Sequence, residues 1–89
     1  MLQSLSNDAA IHDSRGLIHL KLGQSAAAIK DFDTALRFDP KLASAIYGRG
    51  LAKLKAGDKA GGDADISAAK TIRGGIEDDF ARYGVRATN

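Results

Sequence analysis

The sequence predicts an all-α protein of about five helices that pair into hairpins. Three observations lead to this fold class. Apolar residues recur at helical spacing, glycine or an Asp-Pro pair separates the segments, and a set of residues returns 34 positions later. Apolar positions at i, i+3, i+4 and i+7 are typical of an amphipathic helix, whereas a half-buried strand alternates. The predicted helices cover residues 8–22, 25–38, 42–56, 59–72 and 76–83.

The 34-residue repeat is the main organising feature of the chain. Arg15-Gly16-Leu17 returns as Arg49-Gly50-Leu51, and Phe32 corresponds to Ile66. The other matched pairs are Leu20 and Leu54, Lys21 and Lys55, Gly23 and Gly57, Ala26 and Ala60, Ala35 and Ala69, and Phe38 and Ile72. Self-similarity at a fixed period is the signature of repeat architectures, so each copy is predicted to be one helical hairpin.

The first helix of the first copy has apolar residues on two faces. One face carries Leu17, Leu20 and Lys21, and the other carries Ile11, Ile18 and Leu22. Asn7 or Asp8 is predicted to cap its start, because a side-chain oxygen there can accept a hydrogen bond from a free backbone N–H. Gly23 is predicted to end it in the left-handed conformation that glycine tolerates.

The second helix of this copy carries a core-facing stripe and a stop. The stripe consists of Ala28, Ile29, Phe32, Ala35 and Leu36. Phe32 is predicted to lie at the packing centre of the hairpin. Pro40 cannot continue a helix and disfavours helical backbone at the residue before it. The helix is therefore predicted to end at Asp39 or just before it.

The second copy is more degenerate than the first. Gly61-Gly62 stands where the first copy has Ala27-Ala28, and glycine costs about 1 kcal/mol relative to alanine inside a helix. The second helix of this copy is therefore predicted to be looser and frayed at its start. Beyond it, Ile76, Phe80 and Tyr83 recur at helical spacing and predict a short closing helix that covers the last apolar face.

The chain of 89 residues is predicted to be a single domain, since one hydrophobic core usually serves roughly 50 to 200 residues. Its predicted parts are a first repeat at residues 9–42, a second, degenerate repeat at 43–75, a capping helix at 76–84 and a mobile tail at 85–89.

The composition bears on compartment and on classes of site. The chain has no Cys, which excludes a disulfide framework, a thiolate metal site and a cysteine nucleophile. Its apolar runs are far shorter than the roughly 20 residues that span a bilayer, so no membrane insertion is predicted. Residues 1–7 lack the basic and apolar regions of a signal peptide. A cytoplasmic location is predicted, with the periplasm as the alternative if a signal peptide has been removed.

The first copy resembles a tetratricopeptide repeat. The residues that carry the resemblance are Gly16-Leu17, Leu22-Gly23, Ala28-Ile29, Phe32, Ala35-Leu36 and Asp39-Pro40, and the second copy repeats Gly50, Gly57, Ile66 and Ala69. The resemblance extends over residues 7–72 and implies a right-handed superhelix of antiparallel helix pairs. The chain departs from the family at His12, Arg15, His19, Arg49 and Lys53, because the family often has large apolar or aromatic residues there.

The resemblance also implies a function. In this family the first helix of each pair lines a concave groove that binds peptides or helices of partner proteins, and no catalytic residue, cofactor or metal is implied. The groove positions, carried over one by one, are Asp13, Leu17, Leu20, Lys21, Tyr47, Leu51, Leu54 and Lys55. No clamp for a C-terminal carboxylate is implied, because Asp13 and Leu17 stand where clamping members have Lys and Asn.

The chain is therefore predicted to be a non-catalytic scaffold or adaptor with a protein or peptide partner. Weak self-association, or neighbouring repeats in a longer protein, are further predictions, because two repeats are few for a stable stack. Nucleic-acid binding is the alternative function, with Lys21, Arg49, Lys53, Lys55 and Lys59 as the candidate residues. The net charge of only +2 argues against it, because nucleic-acid binding needs a clustered basic stripe.

Several of these residues also have structural interpretations. The groove leucines Leu17, Leu20, Leu51 and Leu54 could instead belong to the core. His12 and His19 lack further ligands for a metal site and are interpreted as packing residues. Asp31, Asp33 and Asp39 are interpreted as a solvated face. No combination of nucleophile, base and cofactor motif points to an enzyme.

Overall fold

The computed structural model of the protein describes residues 4–82. Its helices are α1 (Ser4–Lys21), α2 (Ser25–Phe38), α3 (Ala43–Lys55), α4 (Lys59–Ile72) and α5 (Ile76–Arg82). Residues 4–82 contain no β strand, and the predicted all-α class is confirmed. Apart from the start of α1 and the end of α5, which reaches the limit of the described residues, the predicted helix ends differ from the observed ones by at most 1 residue. The predicted mobile tail lies outside the described residues.

The start of α1 differs from the prediction. The backbone is already helical at Ser4, so Asn7 and Asp8 lie inside the helix and the prediction that one of them caps it is wrong. The segment from Ser4 to Asp8 holds no Gly or Pro, and these are the residues that oppose a helix most strongly. The helix therefore continues about one turn past its amphipathic part.

The two hairpin turns use glycine as predicted. Gly23 and Gly57 have φ angles of +80° and +98°, in the left-handed region. At the first turn the N–H of Gly23 donates to the Leu20 carbonyl (3.1 Å) and the N–H of Gln24 to the His19 carbonyl (2.8 Å). The second turn repeats both bonds at the equivalent residues. This pair of bonds satisfies carbonyls that the helix end leaves free.

The end of α2 and the start of α4 are also set by local residues. Asp39 follows α2 with extended backbone (φ −141°, ψ 90°), which confirms the stop predicted from Pro40. At α4 the Asp58 carboxylate accepts a hydrogen bond from the Gly61 N–H at 2.9 Å. A side-chain oxygen at this position satisfies one of the free donors of the first turn.

The helices stack as two hairpins and a closing helix. α1 packs against α2, α3 packs against α4, and α3 also packs against α2 and α1, while the short α5 contacts α3 and α4. The hydrophobic core runs through both hairpins and α5. It contains Leu20, Ala28, Phe32, Ala35, Ala43, Ala45, Ile46, Tyr47, Leu51, Ala52, Ala69, Ile76 and Phe80.

Phe32 lies at the centre of the first hairpin, as predicted. Its side chain is 0% exposed. A Cβ atom added to Gly16 of α1 would lie 2.8 Å from the ring of Phe32, and one added to Gly48 of α3 would lie closer still. The ring therefore fits between the backbones of α1 and α3 only because both positions are glycine.

Gly62 brings α3 and α4 close together. A Cβ atom at Gly62 would lie 2.7 Å from the Gly50 carbonyl oxygen and 2.7 Å from the Leu54 side chain. Real Cβ atoms essentially never show such distances, so glycine is required here for packing. The prediction of a looser α4 rests on the helix propensity of glycine alone and does not include this contact. The described α4 is helical from Lys59 onward.

We expect the substitution Gly62→Ala to lower the free energy of unfolding by about 1 to 3 kcal/mol. Alanine favours helix by about 1 kcal/mol, but the added methyl group would push against the Gly50 backbone. Urea denaturation followed by circular dichroism measures the change. Gly74→Ala is the matched control, because a Cβ there meets nothing within 4 Å and the φ angle is not positive. A stabilised Gly62→Ala variant would contradict the proposed close contact.

Candidate protein-binding surface

The predicted groove residues differ widely in exposure. Leu20, Tyr47 and Leu51 are buried, with 2%, 1% and 1% of their surface exposed. The prediction of one open concave surface is therefore wrong at Leu20 and Leu51, which are core residues. The remaining five are partly buried or exposed. We call these five the inner surface: Asp13, Leu17, Lys21, Leu54 and Lys55.

The closing helix explains why Tyr47 is buried. Phe80 of α5 packs on the Tyr47 ring, with centroids 4.7 Å apart and an angle of 51° between the planes. Burial, with a contribution from Glu77, raises the pKa of the Tyr47 hydroxyl. Helical spacing identifies the residues that share a face of α3, but it does not tell which neighbouring helix covers that face.

A cavity opens beside this aromatic pair. It has a volume of about 210 Å³ and is lined by Asp13, Ser14, Leu17, Ser44 and Phe80. These residues come from α1, α3 and α5. The cavity therefore lies where the first helices of the two hairpins and the closing helix meet, and two of its lining residues belong to the inner surface.

Asp13 links the two sides of this cavity. The Ser44 hydroxyl donates a hydrogen bond of 2.6 Å to Oδ2 of Asp13. Burial raises the pKa of the Asp13 carboxyl, and the bond from Ser44 offsets part of this effect. The hydrogen bond fixes the distance between α1 and α3 at this point, and it leaves Oδ1 of Asp13 as a further acceptor.

A second, larger cavity lies between the α2–α3 turn and the start of α5. Its volume is about 520 Å³, and its lining includes Asp39, Lys41, Ile72, Arg73 and Asp79. Nε of Arg73 donates to Asp79 at 2.6 Å, and the backbone N–H of Lys41 donates to Asp39 at 3.3 Å. The polar groups of this cavity therefore bind each other.

Each hairpin contains a bidentate ion pair that joins its two helices. In the first, Nε and Nη2 of Arg15 donate to the two carboxylate oxygens of Asp31, both at 2.9 Å. In the second, Arg49 makes the equivalent bonds to Asp65 at 2.9 and 3.1 Å. Fork-shaped pairing of this kind adds both energy and fixed geometry.

Asp31 is not part of a solvated face, contrary to the prediction. It is only 6% exposed, whereas Asp33 and Asp39 are exposed as expected. The hydrogen bonds from Arg15 hold the pKa of Asp31 below its ordinary value, although burial alone would raise it. The helical pattern placed Asp31 among charged neighbours but did not reveal the Arg15 side chain that covers it.

The two histidines pack around the same carboxylate. The His12 ring stacks on Phe38, with centroids 6.4 Å apart, and its Nδ1 lies 3.7 Å from Asp31. Nε2 of His19 lies 3.4 Å from Asp31, and its Nδ1 is 2.6 Å from Oε1 of Gln24. Their positions agree with their interpretation as packing residues.

Arg49 connects the two hairpins as well as the two helices of its own. Besides Asp65 of α4, it donates from Nη1 to Asp33 of α2 at 2.8 Å. Lys53 also approaches Asp65, at 3.1 Å. Burial would raise the pKa of Asp65, but the hydrogen bonds and charges of Arg49 and Lys53 outweigh it, so the pKa is lowered. The hydrogen bonds to Asp65 and Asp33 raise the pKa of Arg49.

The 34-residue repeat in the sequence contains a signal for these ion pairs. Arg15 and Asp31 recur as Arg49 and Asp65, both 34 positions later. Two opposite charges that return together at the repeat period indicate a contact that each hairpin makes within itself. The apolar pattern alone identifies Arg15 and Arg49 as departures from the family and does not connect them with Asp31 and Asp65.

Within residues 4–82, no group of three or more His, Cys, Asp or Glu could hold a metal ion. Within the same described helices, none is both long and apolar enough to cross a bilayer.

The fold and its repeat define the chain as an all-α helical repeat protein. A family model described as TPR repeat matches residues 16–57, which include the last part of α1, all of α2 and α3, and the turns between them. This match covers 42 of the 89 residues and supports a protein of the tetratricopeptide-repeat type. Searches of curated proteins and of solved structures found no match. Repeats of this family generally mediate contacts between proteins.

Proposed function

We propose that this protein is a non-catalytic interaction module that holds a short segment of a partner protein against its inner surface. The observation that supports this most directly is the cavity beside Leu17, which Asp13 and Phe80 also line. Leu17 is only partly buried, so an apolar side chain of a partner could cover it. Ligand sites typically combine such an apolar contact with a few polar groups that fix orientation.

The charges of the inner surface favour a partner segment with acidic residues. Lys21 lies one helical turn beyond Leu17, and Lys55 directly follows Leu54. Both lysines are exposed, and exposed charges at the edge of an interface mainly speed association and set its salt dependence. Leu17 and Leu54 would supply the apolar contact. The buried side chains Leu20, Tyr47 and Leu51 would support this surface from beneath.

The nucleic-acid alternative loses support from the ion pairs. Of its five candidate residues, Arg49 and Lys53 contact Asp65, and Lys59 contacts Asp63 at 3.0 Å. A cation already bound to a carboxylate contributes little net attraction for phosphate. Binding driven by phosphate contacts needs several available cations and weakens steeply with salt.

Selection from a phage-displayed peptide library against the intact chain tests the proposal. We expect the selected peptides to combine apolar and acidic residues, and Leu17→Asp to weaken their binding at least about tenfold, as at a central interface residue. Fluorescence polarisation with a labelled selected peptide measures the affinity. Lys21→Gln combined with Lys55→Gln should slow association and flatten its salt dependence.

The matched control is Ile72→Asp, which places the same charge at an exposed isoleucine on α4, outside the inner surface. Circular dichroism checks that each variant keeps its helix content, and Leu17→Ala provides a milder change if Leu17→Asp unfolds. Unchanged peptide affinity in a folded Leu17→Asp variant would place the site elsewhere. Tight, salt-sensitive binding of oligonucleotides without peptide binding would favour the alternative function.

A further inference from the structure

Three large aliphatic side chains are exposed along one face of α1 and at the residue that directly follows it. Ile11, Ile18 and Leu22 are 58%, 57% and 67% exposed. Their spacing of seven and four residues places them on one side of a helix. We call them the outer stripe, because they lie on a different face of α1 from the inner-surface residues. An exposed apolar patch on a protein surface can mark a site of association.

The second hairpin has an equivalent face on α3. The residues of α3 that correspond to Ile11 and Ile18, 34 positions later, are Ala45 and Ala52. Both are 0% exposed, and α3 packs against α2 of the preceding hairpin. These two positions of α3 are thus buried within the stack, although Ala56, the counterpart of Leu22, is exposed. On α1 none of the described helices covers Ile11 and Ile18.

A second copy of the chain offers two faces as possible partners for the stripe. One is the outward side of α4, which would continue the stack from head to tail. Where α2 packs with Ile29 and Leu36, α4 has Asp63 and Lys70, both exposed. Asp63 is paired with Lys59 and Lys70 with Glu77. Covering these charges with aliphatic groups would remove them from water at a cost.

The other face is the outer stripe itself. Two α1 helices related by a twofold axis would place aliphatic side chains against aliphatic side chains, and a twofold interface requires this self-complementarity. Arg15 lies between Ile11 and Ile18 on the same face, so this contact would also cover a charge. Arg15 is held by both oxygens of Asp31, whereas α4 would present two charges, Asp63 and Lys70, each held by a single contact. α1 also has 18 residues against 13 in α3, so it provides extra length for a helix pair.

We propose that the protein forms a twofold-symmetric homodimer through the outer stripe of α1. The contact does not use the inner surface, so it is independent of the function proposed above. Three side chains form a patch that is much smaller than the roughly 800 Å² that each partner buries in a stable interface. The dimer is therefore weak and forms only at high protein concentration.

Analytical ultracentrifugation over a concentration series tests the dimer. The expected result is a monomer at low concentration and a dimer, with nothing larger, at high concentration. Ile18→Asp weakens the association at least about tenfold, as for a residue at the centre of an interface, whereas Ile72→Asp and Leu17→Asp leave it unchanged. A wild-type chain that stays monomeric, a series of species larger than dimers, or a dimer that tolerates Ile18→Asp would each overturn the proposal.

Nuclear magnetic resonance gives a second test that needs no substitution. Amide resonances of residues along α1 near Ile11, Ile18 and Leu22 should shift as the wild-type protein is diluted, while those of α4 stay in place. Concentration-dependent shifts centred on α4 would indicate head-to-tail contact and would contradict a twofold dimer. The readout does not depend on any peptide, so it remains valid if the inner surface binds none.

Discussion

Replacing Phe32 with alanine is expected to lower the free energy of unfolding by about 3 to 5 kcal/mol. The ring is fully buried and lies between Gly16 and Gly48, so its removal leaves a cavity that two helix backbones enclose. The total stability of a small domain is only about 5 to 15 kcal/mol. Thermal and urea denaturation followed by circular dichroism measure the loss, and the variant is expected to be partly unfolded at 37 °C.

Phe38→Ala provides the matched control for this variant. Phe38 is in the same helix but is 41% exposed, and its main described contact is the stacked ring of His12. Substitutions at such surface positions usually change stability by less than about 1 kcal/mol. Equal losses of unfolding free energy in the two variants would contradict the central position of Phe32 in the core.

Replacing Arg49 with methionine is expected to lower the free energy of unfolding by about 2 to 3 kcal/mol at neutral pH. The loss is smaller than for a fully buried ion pair, because Asp65 keeps Lys53 as a partner. Asp65 is 9% exposed, and without Arg49 its charge would be poorly compensated. Urea denaturation measures the change. Arg82→Met removes an arginine whose side chain is 78% exposed and is expected to have little effect.

The loss caused by Arg49→Met should shrink as the pH falls. In the wild-type protein the folded pKa of Asp65 lies below its ordinary value of 3.8. This carboxylate therefore stabilises the fold above about pH 4, and the contribution disappears as the pH falls through the folded pKa. Without Arg49, only Lys53 offsets the burial of Asp65, so protonation of this carboxylate in acid relieves its poorly compensated charge. A double variant that adds Asp65→Asn should recover part of the stability; a pH-independent loss would contradict this account.

Local sequence chemistry was enough to predict most of the fold. Gly23 and Gly57 end the first helices because glycine alone adopts positive φ angles at no steric cost. Pro40 ends α2 through its own ring and missing N–H. These effects act within a few residues of chain and need no knowledge of the tertiary structure, which is why the helix ends were predictable.

The inner surface could be predicted only in part, because burial depends on helices distant in sequence. Leu17 and Leu20 have the same residue type and lie on neighbouring positions of one face, yet Leu20 is buried and Leu17 lines the cavity. Tyr47 depends on Phe80, a residue of α5. The helix propensity of Gly62, a local property, predicts a weaker α4. Its close contact with Gly50 involves another helix and could not be predicted from local sequence.

Arg49 couples the unfolding of the two hairpins. Its guanidinium binds Asp65 within its own hairpin and Asp33 in the preceding one, and Gly48 beside it accommodates Phe32 of that same preceding hairpin. In stacked repeats, cooperativity grows with the strength of the nearest-neighbour interface relative to the stability of each repeat alone. Loss of either hairpin would expose the Phe32 ring and separate Arg49 from one of its carboxylates. The junction therefore disfavours half-folded molecules and makes the stack melt as one cooperative unit.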